Sequence, residues 1–344
     1  MVVNKFKKLS KNSFNIEVVS SIDSNAWDNI IKQFLWCNLY QSYNWGEIKK
    51  EYGWLPQRTI AKNNLGKVIA AVQILTKKKY GCIVGWAPGG PLCNDKSDSR
   101  VEIAQLLNKF FNERAILKYL RIYPMIPSSE EDEKWLSCEG WRHSKAPFHK
   151  SLTIMVNIEG ETDSIRESLK GKWRYYLKRS ETFEHKFKIL IDNKDISLFI
   201  DAHKEMTTKK GFNDSFDLKE LNILKNKLKD NLLIFGVFDG EIFMSGWIMA
   251  RFINTAYVLR AVTTKKGRES LASYFCLWEA MKHLKMSGCK RIEMGGIDLK
   301  DNKGVTHFKR GVGGEEIQWL GEWEKANSGL TKLLMNSFIC LSGK

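Results

Sequence analysis

The chain has 344 residues, 43% of them hydrophobic and 12% aromatic, with a formal net charge of +16. That length suits two modest domains or one large one, and the apolar content excludes global disorder. No apolar run reaches the ~18 residues of a membrane-spanning helix, and the basic start MVVNKFKKLSKNSF is not followed by the apolar stretch of a signal peptide.

Seven scattered cysteines (Cys37, Cys82, Cys93, Cys138, Cys276, Cys289 and Cys340) contain no CxxC pair. Reduced thiols in a cytoplasmic protein are expected, with no zinc and no other metal. The positive surplus would attract nucleic acid, anionic headgroups or phosphorylated substrates, and reads equally well as a solvated basic surface.

In chain order, WGEIKKEYGW is an amphipathic helix carrying Lys49. LPQRTIAKN and KVIAAVQILTKK flank an Asn63–Gly66 turn and make a β-hairpin. A strand CIVGWAPG, a helix VEIAQLLNKFFNERAIL and a strand YLRIYP follow. The second half repeats that order: the hairpin LLIFGVFDGEIFMSGWIMARF around Asp239-Gly240, the strand TAYVLRAV, the helix LASYFCLWEAMKHLKMSG and the strand KRIEMGG. A duplicated hairpin-strand-helix-strand unit predicts two α+β domains. Their expected bounds are 1–155 completed by 315–344, and 156–314. All six prolines lie at or before Pro147, so the halves differ at the surface.

Between the halves, Ser164 and Glu167 have capping-box spacing, and Ile165, Leu169, Trp173 and Leu177 mark one buried helix face. Arg166, Lys170, Arg174 and Lys178 line the neighbouring face, as a solvated stripe or a nucleic-acid contact. Near the end, Gly295-Gly296 and Gly313-Gly314 bracket Phe308-Lys309-Arg310. Glycine leaves room for a close backbone approach, so substrate access is expected at Gly295-Gly296 and a turn at Gly313-Gly314. The closing stretches IQWLGEWE and LTKLLMNSFICL are expected to pack back on the first domain.

Four stretches together resemble the FemABX family, the tRNA-dependent aminoacyl transferases of cell-wall precursor synthesis. Gln41-Ser42-Tyr43-Asn44-Trp45-Gly46-Glu47-Ile48-Lys49 resembles its Q-S-x-x-W-x-x-x-K, and Trp86-Ala87-Pro88-Gly89-Gly90-Pro91 its Y-A-P-x-G-P. Ile292-Glu293-Met294-Gly295-Gly296-Ile297 resembles its aromatic-D-x-G-G-I, and Phe308-Lys309 its late F-K. The resemblance implies two tandem GNAT-like α+β domains, here without the long helical arm of some relatives. It also implies transfer of an amino acid from aminoacyl-tRNA, a co-substrate in place of any cofactor, to an amine of a peptidoglycan precursor or related surface glycan. A lipid-linked acceptor would bring the protein to the inner membrane face; a nucleotide-linked one would not.

By residue match, the resemblance makes Lys309 the catalytic cation, with Phe308 shaping its pocket. Lys49 becomes a contact to acceptor phosphate, or one more charge on its helix; Trp45 beside it is a substrate-binding candidate that reads more readily as core. The acceptor is expected in a groove between the domains, bounded by Lys49, Tyr257 and the loop after Gly296. Lys170, Arg174 and Lys178 are the tRNA contact candidates. Three departures bear on the acceptor. Tyr123 stands where relatives have an acid before proline. Gly211-Phe212-Asn213-Asp214-Ser215 lacks the usual basic residue, leaving Lys219 as the nearest. Arg260 stands in a strand where small residues are common.

Two rival readings share the fold. An acyl-CoA-dependent N-acyltransferase of a surface polysaccharide or amino sugar would need a glycine-rich phosphate turn before a helix. The corresponding Arg268-Glu269-Ser270-Leu271-Ala272-Ser273 has leucine and serine in the glycine places. The other rival is a non-catalytic relative that binds RNA or a membrane surface.

Overall fold

The computed structural model describes residues 14–79, 81–94, 100–111, 117–211, 216–299, 303–329 and 331. The described residues up to Ser151 and from Gln318 onward form one compact unit, and Leu152–Ile317 form a second.

The first unit is one sheet with helices. Its strands are β1 (Phe14–Val18), β2 (Leu55–Asn63), β3 (Val68–Lys79), β4 (Cys82–Gly89), β5 (Leu92–Cys93), β6 (Leu117–Pro124) and β7 (Arg142–His143). Its helices are α1 (Ser24–Ile31), α2 (Tyr43–Lys50), α3 (Arg100–Lys109) and α4 (Glu130–Cys138). Asn63 closes the β2–β3 hairpin: its side-chain oxygen accepts from the N–H groups of Leu65 and Lys67, both at 3.0 Å, and Gly66 takes φ +74°. The predicted helix 101–117 is shorter than its periodicity suggests. It ends at Lys109, and Leu117 already opens β6, which runs parallel to β4. Ala70, Val72 and Ile74 of β3 pack with Leu107 of α3 and with Leu120 and Ile122 of β6, all buried. Each such aliphatic side chain of valine size or larger stabilises the unit by about 1.5–3 kcal/mol.

The second unit holds β8 (Leu152–Asn157), α5 (Thr162–Ser168), α6 (Gly171–Ser180), β9 (Lys186–Ile189), α7 (Asn193–Lys210) and α8 (Leu218–Leu228). It continues with β10 (Leu232–Asp239), β11 (Ile242–Phe252), β12 (Thr255–Thr263), α9 (Lys265–Glu269), α10 (Ala272–Met286), β13 (Arg291–Glu293), α11 (Lys303–Gly311) and β14 (Glu315–Gln318). The sheet order is β14-β8-β13-β12-β11-β10-β9. On α10, Cys276, Leu277, Ala280, Met281 and Leu284 recur at helical spacing and are all buried.

The single helix expected across 164–178 is two helices. Leu169 (ψ 142°) and Lys170 (ψ 146°) are extended, and the Lys170 N–H goes to the Gly311 carbonyl at 3.0 Å. The Ser164–Glu167 capping box does not form, because Glu161 occupies the cap position and makes no side-chain cap bond. Ile165, Leu169, Trp173 and Leu177 are buried all the same. Gly313 explains the fit. It takes φ +85°, and a Cβ there would stand 2.3 Å from the Ser168 carbonyl oxygen.

After Gln318 the chain joins the first sheet. β15 (Trp323–Ala326) lies between β6 and β7, pairing Trp323 with Ile122 and Glu324 with Arg121. Of the predicted closing helix, only Thr331 is among the described residues, and 212–215 of the acceptor-binding stretch also lie outside them.

Candidate active site

In the second unit, β12 and β13 run parallel for three pairs, ending at Tyr257–Glu293. They then diverge. The chain past Glu293 stays with β8, the N–H groups of Met294 and Ile297 reaching the carbonyls of Ile154 (3.0 Å) and Leu152 (2.7 Å). β12 instead follows β11 to Thr263. Gly295, at φ +73°, makes the bend. The result is a slot in the sheet edged by the Val258 carbonyl, which lies 3.8 Å from where a Gly295 Cβ would sit.

Helix α11 places Lys309 at this slot. Its Nζ donates to the carbonyls of Gly295 (3.1 Å) and Gly296 (2.9 Å). An ammonium has three N–H groups, so one remains for a substrate oxygen. Burial pushes the Lys309 pKa below the ordinary lysine range, and the nearby Glu293 carboxylate partly opposes that shift. Glu293 is buried and accepts a hydrogen bond from the Thr153 hydroxyl, which also reaches the Gly295 carbonyl at 3.1 Å. Glu293 belongs to the Ile292–Ile297 motif, which by itself gives the carboxylate no role. Thr153 gave no signal, because β8 meets β13 only through the tertiary fold.

Phe308 points elsewhere. Its ring packs against Tyr274 (4.9 Å between centroids), Trp173 (5.8 Å) and Trp247 (6.0 Å), anchoring α11 to the core. Tyr257 is buried at the head of the slot. Arg260, further along β12, donates to the Leu259 carbonyl at 2.9 Å, pairs with Glu220 at 3.3 Å and lies over the Phe216 ring at 5.4 Å. Lys219 is exposed beside Glu220 on the first turn of α8. On α6, Lys170 and Lys178 are exposed, while the Arg174 guanidinium donates to the Glu167 and Leu169 carbonyls across the helix break.

The first unit carries Lys49 and Trp45. The half-buried Lys49 ammonium lies 4.9 Å from the Trp45 ring centroid, 5.6 Å from that of Tyr52 and 5.8 Å from that of Trp86. The two motifs of this half interlock beneath it. Buried Gln41 donates to the carbonyls of Pro88 (2.8 Å) and Gln73 (3.1 Å), and a Cβ on Gly90 would come within 2.6 Å of the Gln41 side chain.

Tyr123, in the place of the expected acid, stacks flat on His149 at 4.9 Å and 11°. His149 Nδ1 lies 2.7 Å from Glu322, which also accepts from the His149 N–H (2.9 Å) and from Arg121 (3.2 Å). This buried network escaped the sequence reading because Glu322 comes from the returning C-terminal segment. Among the described residues, no three His, Cys, Asp or Glu side chains gather as a metal-binding group, and no helix is long and apolar enough to cross a membrane.

At the start of α10, Leu271 takes φ +58°, a left-handed conformation that ordinarily favours glycine, and makes no side-chain cap.

Residues 219–336 match the FemAB family. A crystal structure of FemX superposes with a TM-score of 0.79 at 18% identity, covering 92% of this chain and 99% of that one. A tandem GNAT protein from the clavulanic acid biosynthesis pathway gives 0.53 at 9%, covering 92% and 99%. A GCN5-related N-acetyltransferase from Sphaerobacter thermophilus gives 0.52 at 10%, covering 91% and 95%. Among curated proteins none matches the sequence. The architecture is a duplicated GNAT-like α+β fold.

Proposed function

We propose, from the match of residues 219–336 to the FemAB family, that this chain is an aminoacyltransferase. It moves an amino acid from aminoacyl-tRNA to an amine of a peptidoglycan precursor or related surface glycan. The observation that carries this reading is the Lys309 ammonium, fixed on two carbonyls at the mouth of the slot with one N–H unused.

The acceptor amine attacks the ester carbonyl, forming a C–N bond and placing negative charge on the carbonyl oxygen. Lys309 donates to that oxygen without needing to reorganise, since the Gly295 and Gly296 carbonyls already set its direction. Collapse breaks the bond to the ribose oxygen, which leaves with the proton lost by the amine. The ester is an activated acyl group, so positioning and fixed charge supply the acceleration. Lys49, walled by three rings, is our choice for the phosphate of the acceptor, whether lipid- or nucleotide-linked. An acyl-CoA donor is disfavoured by the 268–273 turn, which carries Leu271 and Ser273 where a pyrophosphate cradle has glycine.

Purified protein incubated with a pool of charged tRNAs and candidate precursors is expected to form a new amide. Lys309→Ala is expected to lower turnover roughly 100- to 1,000-fold, as for loss of one oxyanion donor, with an unchanged melting temperature. Transfer at wild-type rate in that variant would remove the assignment.

A further inference from the structure

A cavity of about 190 Å³ opens in the second unit between α6, α10 and α11. Its wall carries Lys170, Lys172 and Arg310 together with the rings of Tyr176, Tyr274 and His307, and it includes no carboxylate. Glu316 holds Arg310 through two bonds of 2.7 and 2.8 Å but is not part of the wall. At ~30 Å³ per water, the space equals roughly six waters. That admits a phosphate with part of its sugar, or a single base, and is too small for a whole cofactor.

Charge placement points to an anion. Lys170 is the cap residue of α6 and Lys172 lies in its first turn; the cap makes no side-chain bond, and the turn has no acidic residue. The first-turn N–H groups of a helix carry partial positive charge, so two lysines there are set against the usual preference. An anion seated among them would relieve that repulsion and accept from the open N–H groups. The aromatic side is continuous: Tyr176 and Tyr274 lie 5.2 Å apart, Tyr274 and Trp173 5.1 Å apart, and the Lys172 ammonium is 5.8 Å from the Tyr176 centroid. A phosphate site joined to ring faces has the chemistry that recognises an unpaired nucleotide.

The cavity lies across α11 from the proposed reacting centre. His307, Arg310 and Gly311 share one face at i, i+3 and i+4, whereas Lys309 projects from the other side. The separation is about one helix diameter, ~10 Å, within reach of one or two nucleotides.

We propose that this cavity binds the backbone phosphate of an unpaired nucleotide just upstream of the esterified ribose, with the base of that nucleotide stacked on the Tyr176 ring at its edge, so that it seats the single-stranded 3′ end of the donor RNA. The proposal rests on the aminoacyl transfer proposed above. An adenine nucleotide phosphate could also come from coenzyme A, and the test separates the two sources.

Binding of a non-acylated single-stranded RNA tetranucleotide ending in CCA is measured by calorimetry across a salt series. The same sequence locked in a blunt duplex and coenzyme A are run alongside. The single strand is expected to bind, and the duplex and coenzyme A to bind at least tenfold more weakly. Lys170→Ala with Lys172→Ala should weaken the single strand about tenfold or more, and should lower the slope of log K against log salt by about 0.7, the share of one phosphate on a single strand. Tyr176→Ala should weaken binding while leaving that slope unchanged, since stacking releases no counterion. Lys309→Ala should bind the RNA normally and fail only in transfer.

An unchanged affinity and salt slope in the double-lysine variant would overturn the cavity assignment while leaving aminoacyl transfer standing. Coenzyme A binding that is lost in that variant, with no RNA binding by the wild type, would overturn it too. Absence of any transfer by a wild-type protein that binds the RNA through these residues would remove the aminoacyl reading and keep the cavity as a nucleotide site.

Discussion

Lys309 works only as an ammonium, and its burial in the slot favours the neutral amine. The basic limb of the pH profile for transfer should therefore fall below the ordinary lysine range. Glu293 is the charge that raises this pKa. Glu293→Gln should move the limb to still lower pH, and Lys309→Arg, which stays charged, should abolish it within the measurable range. Initial rates across a pH series would test both; a limb unmoved by Glu293→Gln would sever the pair. Glu322 is the other informative residue. Burial would raise its pKa, but the bonds from His149 and the Phe148 N–H and the charge of Arg121 hold it below the ordinary carboxylate value. A depressed carboxylate contributes stability in full above its unfolded pKa, ~4.3, and loses it as pH falls through the folded value. Glu322→Gln strips buried Arg121 of one carboxylate and should cost about 3 kcal/mol. Chemical denaturation near neutral pH would show that loss, and the gap between variant and wild type should narrow in acid.

At the level of elements, the legible parts were those whose cause is local. Asn63 with Gly66 and Asp239 with Gly240 announce their hairpins, and the α10 spacing announces its buried face. The break between α5 and α6 could not be foreseen, since its cause is a carbonyl on Gly311 reached only through the fold. α3 ended early for a similar reason: its apolar pattern continues to Leu117, but that residue is claimed by pairing with β4. In the candidate site, Lys309, Gly295 and Gly296 were carried by motifs, whereas Thr153 and the diverging strands were not, because slots in sheets leave no periodic mark. Gly313 ties these elements together. Gly313→Ala would force a side chain into the left-handed region and against Ser168. We expect a loss of more than about 1 kcal/mol and a lowered melting temperature, with α11 and the α5–α6 corner the first to gain amide exchange.

For the molecule as a whole, the second unit interrupts the first in sequence. Arg121 and Tyr119 of β6 are buried, and both depend on Glu324 of β15, at 3.5 and 2.8 Å. Truncation after Ile317 removes β15, Glu322 and Glu324 together. Limited proteolysis of that shortened chain should show the first unit cut rapidly while 152–317 resists. Equal protection of both units would mean that β15 is dispensable.

The late arrival of β15 also sets an order of events at the ribosome. A nascent polypeptide can finish the interrupting lobe while the flanking one still waits, with β6 presenting an open edge and a guanidinium that has no counter-ion. Only when the stretch carrying β15 has emerged can that edge close. From the emergence of β6 until that of β15 this protein therefore exposes an unfinished sheet to its neighbours, and slow decoding between the two would prolong that exposure.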